Sequence, residues 1–161
     1  YGELEYDIRL ASELDGLCAV RYPRGCEKKD PGLDYTGDYT VLSGSGKKAI
    51  VTYGRLFSDA LEAKEQVPDV NIVKLNKIYP ISDELIKTLK SYGEIHFFEE
   101  SVKNGGIGEL CAAKLLENGY NGIYRIHAVD NKFVPTATVT SAITGCELDT
   151  DSMISAVKND E

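Results

Sequence analysis

Between residues 49 and 129, short apolar runs alternate with longer segments in which apolar residues recur at helical spacing. The apolar runs are rich in Val, Ile and Phe, which is typical of strands, and they lie at 49–53, 70–75, 95–98 and 122–129. The segments between them leave room for helices of about 10 to 12 residues. Strands separated by such helices form right-handed βαβ units and a largely parallel sheet. The sequence therefore predicts an α/β protein.

Further elements are predicted on both sides of this alternating region. Apolar spacing predicts a helix over 3–14 and two short helices near 136–143 and 150–158. A run of β-forming residues predicts a strand over 39–43, which the tight turn at 44–46 would join to the next strand as a hairpin. One strand of the sheet is thus expected to run against the others.

Before that hairpin lie a strand-like apolar run at 17–22 and a polar segment at 26–37. The polar segment contains glycine and proline, which is typical of a linker between two units. The 161 residues suffice for one full core, or for one domain plus a fragment of another. The chain begins with neither methionine nor a signal peptide, so we expect it to be part of a longer protein.

Two arginines leave the end of the predicted strand together, in Arg21-Tyr22-Pro23-Arg24-Gly25. Proline fixes its own φ and favours an extended Tyr22, while Gly25 permits a sharp turn. Arg24 is therefore held in one direction, and a guanidinium so held is suited to bidentate contact with a phosphate monoester. A structural ion pair with one of the chain's many carboxylates explains the pentapeptide equally well. The pentapeptide alone leaves both interpretations open.

A second distinctive stretch, residues 99–108, runs from a strand end through a loop into a glycine-rich helix start. It is not a dinucleotide fingerprint, because the third glycine of GxGxxG would fall at Cys111. The unpaired amides of the helix start favour a neighbouring carboxylate, Glu99 or Glu100, over a bound phosphate. Successive strand residues point to opposite faces, so we do not expect the two glutamates to share a catalytic site.

The chain carries more acidic than basic residues, and this excess limits the classes of partner that it can bind. It carries 18 basic and 26 acidic residues, for a net charge of −8, which argues against a nucleic-acid or anionic-membrane surface. No apolar run reaches the roughly 18 to 20 residues of a membrane span. The four cysteines show no CxxC spacing, and Cys18 and Cys111 fall on apolar faces where we expect them to be buried. These cysteines predict a reducing, cytoplasmic location.

The two histidines, His96 and His127, both fall inside strand-like runs. They are expected to be packed or hydrogen-bonded strand residues. With two histidines and scattered cysteines, the sequence predicts no metal site.

Five stretches of the chain resemble, in the same order, the C-terminal part of the 1-deoxy-D-xylulose-5-phosphate synthase branch of the transketolase family, whose members use thiamine diphosphate. The stretches are DGLCAVRYPRG, AIVTYGRLFSDALEA, VNIVKLNKIYPISDELI, IHFFEESVKNGGIGEL and FVPTATVTSAITGCELDTDSMISAV. Together they cover essentially the whole chain. The combination of RYPRG with EE and GGxG is the most specific part of the resemblance.

This resemblance implies a division of the chain and a fold. Residues 1–25 would be the end of the pyrimidine-binding middle domain, 26–37 the linker, and 38–161 the transketolase C-terminal domain. The implied fold is a three-layer α/β/α sandwich around a mostly parallel five-stranded sheet with one antiparallel strand.

The resemblance also implies a reaction. The parent enzyme would condense pyruvate with glyceraldehyde 3-phosphate to 1-deoxy-D-xylulose 5-phosphate, a precursor of isoprenoids. Arg24 matches the position that binds the phosphate of the acceptor, and Arg21 either joins it or braces Arg24 or a nearby carboxylate. In such enzymes the residues that bind thiamine diphosphate and Mg²⁺, and the catalytic glutamate, lie upstream. We therefore expect no catalytic, cofactor-binding or metal-binding residue in this chain, no cofactor bound to it, and no activity of the chain alone.

The partners implied are the remainder of the parent chain, a second copy in a homodimer and a small phosphorylated sugar, with no nucleic acid and no membrane. Two alternatives stay open on the residues. One is a transketolase-like C-terminal domain that acts as a structural or interaction module without ligand contact. The other is a stand-alone nucleotide-binding protein that uses the loop at 105–108.

Overall fold

The computed structural model describes residues 1–23, 25 and 32–158. Within these ranges the strands are β1 (Tyr39–Leu42), β2 (Lys48–Thr52), β3 (Asn71–Leu75), β4 (Glu94–Val102) and β5 (Ile123–Val129). The helices are α1 (Gly2–Glu13), α2 (Leu56–Gln66), α3 (Asp83–Leu89), α4 (Ile107–Glu117), α5 (Val139–Gly145) and α6 (Thr150–Lys158). None of these described helices is both long and apolar enough to cross a membrane.

The described strands form one sheet in the order β1-β3-β2-β4-β5. The pairs β2–β3, β2–β4 and β4–β5 are parallel, and β1 runs antiparallel to β3. Helices α2, α3 and α4 connect the parallel strands in turn, so the alternating pattern predicted between residues 49 and 129 is confirmed. The predicted mostly parallel five-stranded sheet with one antiparallel strand is confirmed as well.

The hairpin predicted for β1 is wrong. β1 pairs with β3 rather than with β2, and Val41 lies opposite Val73. Both edges of β2 are already occupied by β3 and β4, so no edge remains for β1 to join. The turn that follows β1 instead passes against the chain just before β3. There Gly46 donates its amide to the carbonyl of Asp69 at 2.8 Å, and a Cβ on Gly44 would overlap the same oxygen.

Helices cover both faces of the sheet and make three layers, which confirms the predicted α/β/α sandwich. On one face α2 and α6 pack around Ile50 and Phe98, and on the other face α3 and α4 pack around Val51 and Phe97. Successive residues of a strand point to opposite faces, so β2 and β4 each supply both cores. Strands buried on two faces are mostly apolar, which is why β2, β3 and β4 contain nearly continuous apolar runs in the sequence.

At the N-terminus, α1 confirms the helix predicted over 3–14, whereas the strand predicted over 17–22 is wrong. These residues have no strand pairing, and Leu17 is fully exposed. An apolar run becomes a stable strand only beside others of a sheet, and no described strand lies next to this one. Cys18 is accordingly exposed rather than packed, whereas Cys111 is buried as predicted.

Candidate functional site

The carboxyl ends of β2 and β4 lie side by side, because these strands are parallel neighbours. Their ends are tied together where Thr52 Oγ1 donates to the carbonyl oxygen of Phe98 at 2.9 Å. Tyr53 follows β2, and Glu99 and Glu100 come directly after Phe98 in β4. In parallel α/β sheets ligands bind at this carboxyl edge. We therefore take it as the candidate functional site.

Glu99 is fully buried at this edge, and three hydrogen bonds hold its carboxylate. Oε2 accepts from the Tyr53 hydroxyl and from the Ile107 amide, each at 3.0 Å, and Oε1 accepts from the Gly108 amide at 3.0 Å. Both amides belong to the first turn of α4, where backbone donors have no partner within the helix and the dipole favours a negative charge. The prediction that a neighbouring carboxylate satisfies this helix start is confirmed.

The glycines of this helix start follow from the enclosed carboxylate. A Cβ on Gly106 would overlap Glu99 Oε1, and a Cβ on Gly108 would lie 2.9 Å from the same oxygen. The φ of Gly106 is −73°, which any residue can adopt, so lack of space is what requires glycine there. Gly105 differs, because its φ of +79° favours glycine for its backbone conformation.

Glu100 has other neighbours than Glu99. Its Oε1 lies 3.4 Å from Nε of Arg55, the residue that precedes α2. Partial burial raises the pKa of Glu100, and the charge of Arg55 opposes the rise. The two glutamates therefore do not form an acid–base pair, as predicted from the alternation of a strand.

Arg21 is the described member of the predicted arginine pair, and it is exposed. Burial and the neighbouring Glu99 raise the pKa of Tyr53, while the positive charge of Arg21 opposes that rise. The Arg21 guanidinium is thus within electrostatic range of the hydrogen-bonded pair of Tyr53 and Glu99. Arg24 lies outside the described residues, so its role as a phosphate ligand stays a prediction.

A residue that the sequence analysis missed lies near the carboxyl end of β3. Lys74 is 1% exposed, and its ammonium contacts Glu3 of α1 and, at 2.8 Å, Oδ1 of Asn76. The signal was a lysine inside the apolar run at 70–75. A lysine in a strand buried on both faces requires a partner, because an unpaired buried charge is very unfavourable.

His96 and His127 are confirmed as packed, hydrogen-bonded strand histidines on β4 and β5. His96 Nδ1 lies 3.0 Å from His127 Nε2, and His96 Nε2 lies 3.0 Å from Oε1 of Glu94. Because a carboxylate oxygen accepts, we assign the proton of His96 to Nε2, and His127 is then the donor to Nδ1 of His96. The ring of His127 also stacks on Phe98, with ring centroids 4.1 Å apart.

A polar cavity of about 260 Å³ lies beside β5, away from the Glu99 site. The charged and reactive side chains that line it are Lys103, His127, Asp130, Lys132, Cys146 and Glu147. Two lysines and two acids leave the cavity without a preferred sign of charge. None of the residues that hold Glu99 lines it.

The fold and this edge match a known family. The family model described as "Transketolase, C-terminal domain" matches residues 37–142, well over half of the 161 residues. The chain belongs to this family. Within this transketolase C-terminal domain, the matched range contains the whole sheet and the helix start that encloses Glu99.

Curated relatives of the transketolase C-terminal domain chain carry the name 1-deoxy-D-xylulose-5-phosphate synthase. The relative from Campylobacter hominis is 29% identical over 157 residues, which covers 91% of this chain and 26% of that protein. The relative from Nitrosomonas eutropha is 27% identical over 160 residues, covering 94% of this chain and 25% of that protein. The relative from Clostridium botulinum is 30% identical over 146 residues, covering 85% and 24%. The chain thus spans about a quarter of the length of these relatives.

Solved transketolases share the fold. A chain described as "Split gene transketolase, inactive beta4 tetramer" superposes with a TM-score of 0.69 at 23% identity, covering 83% of this chain and 45% of that one. The transketolase of Campylobacter jejuni superposes with a TM-score of 0.58 at 13% identity, covering 81% and 20%. At these identities the likeness concerns the fold alone.

Thiamine diphosphate and Mg²⁺, which the family resemblance implies for a whole enzyme, do not fit the described residues of the transketolase C-terminal domain. The helix start that would suit a diphosphate is filled by the carboxylate of Glu99. Within residues 1–23, 25 and 32–158, no group of three or more His, Cys, Asp or Glu side chains is arranged to hold a metal ion. No step of a reaction is therefore assigned to these groups on the described residues.

Proposed function

We propose that this chain is the C-terminal part of a thiamine-diphosphate-dependent synthase that condenses pyruvate with glyceraldehyde 3-phosphate to 1-deoxy-D-xylulose 5-phosphate, for isoprenoid precursors. The cofactor, bound with Mg²⁺ by other parts of the enzyme, supplies carbanion chemistry. This chain supplies the binding site for the acceptor phosphate and part of the surface of a cytoplasmic homodimer. Alone it is inactive.

The observation that carries the proposal is the similarity to named synthases along nearly the whole chain. The alignment with the Campylobacter hominis synthase covers 91% of the chain. An alignment that leaves out less than a tenth of the residues includes the pentapeptide at 21–25 wherever it begins. The similarity thus extends beyond the domain common to transketolases and includes the segment with the two arginines.

In this proposal Arg24 binds the phosphate of the acceptor by charge-assisted, bidentate hydrogen bonds. A phosphate lies away from the reacting carbonyl, so its binding energy orients the acceptor rather than taking part in bond formation. Gly25, with a φ of +123°, gives the chain the turn expected after this arginine. Arg21, with its charge near Tyr53 and Glu99, braces the segment.

Arg24→Ala in the full-length enzyme tests the proposal. We expect kcat/KM for glyceraldehyde 3-phosphate to fall about 10- to 100-fold, mainly through KM, because a hydrogen bond to a charged group is worth about 1.5–3 kcal/mol. The KM for pyruvate and the melting temperature are expected to stay unchanged. Arg9→Ala is the matched control, since Arg9 is an exposed arginine whose Nη2 lies 2.9 Å from Glu5 on the same helix.

The alternative of a structural or interaction module predicts the opposite result. An Arg24 engaged in a structural ion pair would lose stability on substitution by alanine and leave the acceptor KM unchanged. At the carboxyl edge of the sheet, the Glu99 carboxylate is already held by three protein donors, which favours a structural role for that edge. This observation does not concern the pentapeptide. Synthase turnover by the purified chain alone would contradict the expected inactivity.

A further inference from the structure

The buried ammonium of Lys74 is enclosed from several directions. The side chain lies on the same face of β3 as Ile72, under α2, and is 1% exposed. Oδ1 of Asn76 accepts from Nζ at 2.8 Å, and the Tyr35 and Phe57 ring centroids lie 5.3 Å and 5.6 Å from Nζ. The aromatic rings and the amide oxygen are neutral, so the positive charge of Lys74 still needs an anionic partner.

Helix α1 supplies the balancing charge. Glu3 forms an ion pair with Lys74, and Asp7 follows one helical turn later on the same face. Burial lowers the pKa of Lys74, and the charges of Glu3 and Asp7 oppose this. The acidic face of α1 is therefore the face directed at the sheet.

Apolar packing does little to place α1. No side chain of its residues, all of which the structure describes, is buried, and Ile8 and Leu10 are exposed. An ion pair is more directional than loose apolar contact, and loss of Glu3 would leave the buried charge of Lys74 without a carboxylate partner on this helix turn. The contact between Lys74 and Glu3 thus fixes where α1 lies against the sheet.

The contacts of Lys74 lie on both sides of the arginine segment. Glu3 belongs to α1, which precedes Arg21-Tyr22-Pro23-Arg24-Gly25, and Tyr35 belongs to the segment that follows it. One buried side chain therefore holds the chain before and after the pentapeptide to the same point of β3.

We propose that Lys74 is a positioning residue that clamps both flanks of the arginine segment to the sheet. Its effect on acceptor binding rests on the proposed function of Arg24, whereas the clamp itself does not.

The test uses Lys74→Met and Glu3→Gln in the full-length protein. We expect the amide hydrogens of α1 to exchange at least about tenfold faster in either variant, and the acceptor KM to rise at least about threefold. The double variant is expected to show no further increase over Lys74→Met alone, because Lys74→Met has already removed the interaction that Glu3→Gln removes. Lys77→Met and Glu5→Gln are matched controls, since both residues are exposed neighbours whose side chains do not contact this ion pair.

The outcomes separate the clamp from the proposed function. Exchange in α1 that is no faster in Glu3→Gln than in Glu5→Gln would overturn the clamp, and this comparison stands even where Lys74→Met fails to fold. Faster exchange with an unchanged acceptor KM, in an enzyme whose KM responds to Arg24→Ala, would overturn the positioning role alone. An acceptor KM that does not change in Arg24→Ala would refute the proposed function. Faster exchange of α1 in Lys74→Met and Glu3→Gln would still support the clamp in that case.

Discussion

At the carboxyl edge of the sheet, Gly106 leaves no room for even one additional carbon atom beside Glu99. Gly106→Ala places a methyl group against Glu99 Oε1 and forces the carboxylate away from the amides of Ile107 and Gly108. Overpacking and buried donors left without an acceptor each destabilise a protein by about 1–3 kcal/mol. We expect the free energy of unfolding to fall by about 2 kcal/mol or more, measured by urea denaturation.

Gly145→Ala is the control for that variant. Gly145 ends α5, and a Cβ there would have no atom within 4 Å. Alanine is a better helix former than glycine, so this change is expected to be neutral or slightly stabilising. Similar losses in the two variants would show that Gly106 is needed for another reason than the space taken by Glu99.

For single residues, the sequence predicted that a carboxylate would meet the start of α4, but not which glutamate it would be. The glycine-rich helix start predicted a carboxylate partner, because unpaired amides attract one, and left Glu99 and Glu100 as equal candidates. Choosing between them required the direction of β4, which decides which glutamate points at α4. Lys74 was harder still, since its partner Glu3 is distant in sequence and only the folded chain brings them together.

The strand pair β4–β5 makes stability depend on pH. Burial lowers the pKa of His127 to about 4 from its ordinary 6.5, and the neighbouring His96, Arg125 and Lys103 add to this effect. Burial also lowers the pKa of His96. As the pH falls below 6.5, the unfolded chain binds protons that the folded chain still excludes. The free energy of unfolding should therefore decrease from about pH 6.5 towards pH 4, as measured by urea midpoints.

His127→Gln is the comparison that isolates this effect. Glutamine keeps a side-chain amide that can donate to His96 but has no proton to gain, so the variant should lose less stability over the same pH range. The raised pKa of Glu100 acts with the opposite sign in both proteins and cancels in the comparison. Identical slopes in the two proteins would contradict a contribution of His127.

For whole elements, prediction succeeded where local pattern and burial agree. Strands β2, β3 and β4 were recognised because each is largely buried on both faces, and β5 was recognised by its β-branched and aromatic residues although none of them is buried. Two predictions failed because strand pairing is not local. β1 joins β3 since β2 has no edge left, and the run at 17–22 stays unpaired although its residues favour a strand.

For the molecule as a whole, one sheet serves two separate apolar layers. Leu115 of α4 belongs to one layer and Met153 of α6 to the other, and both are buried. The family resemblance predicted these three layers. The periodicity of each helix predicts that it has an apolar face, while the side of the sheet it covers follows from the handedness of the crossover before it.

Because both layers pack on the same strands, we expect them to unfold together. Leu115→Ala and Met153→Ala should each lower the free energy of unfolding by about 2–5 kcal/mol, whereas Leu116→Ala should change it by no more than about 0.5 kcal/mol. Leu116 is the matched control, being the next residue of α4 and 71% exposed. In either buried variant, hydrogen exchange should speed up by the same factor in α2 as in α4, since the sheet cannot keep one layer after losing the other. Exchange that rises only in the layer carrying the substitution would mean that the strands hold each layer independently.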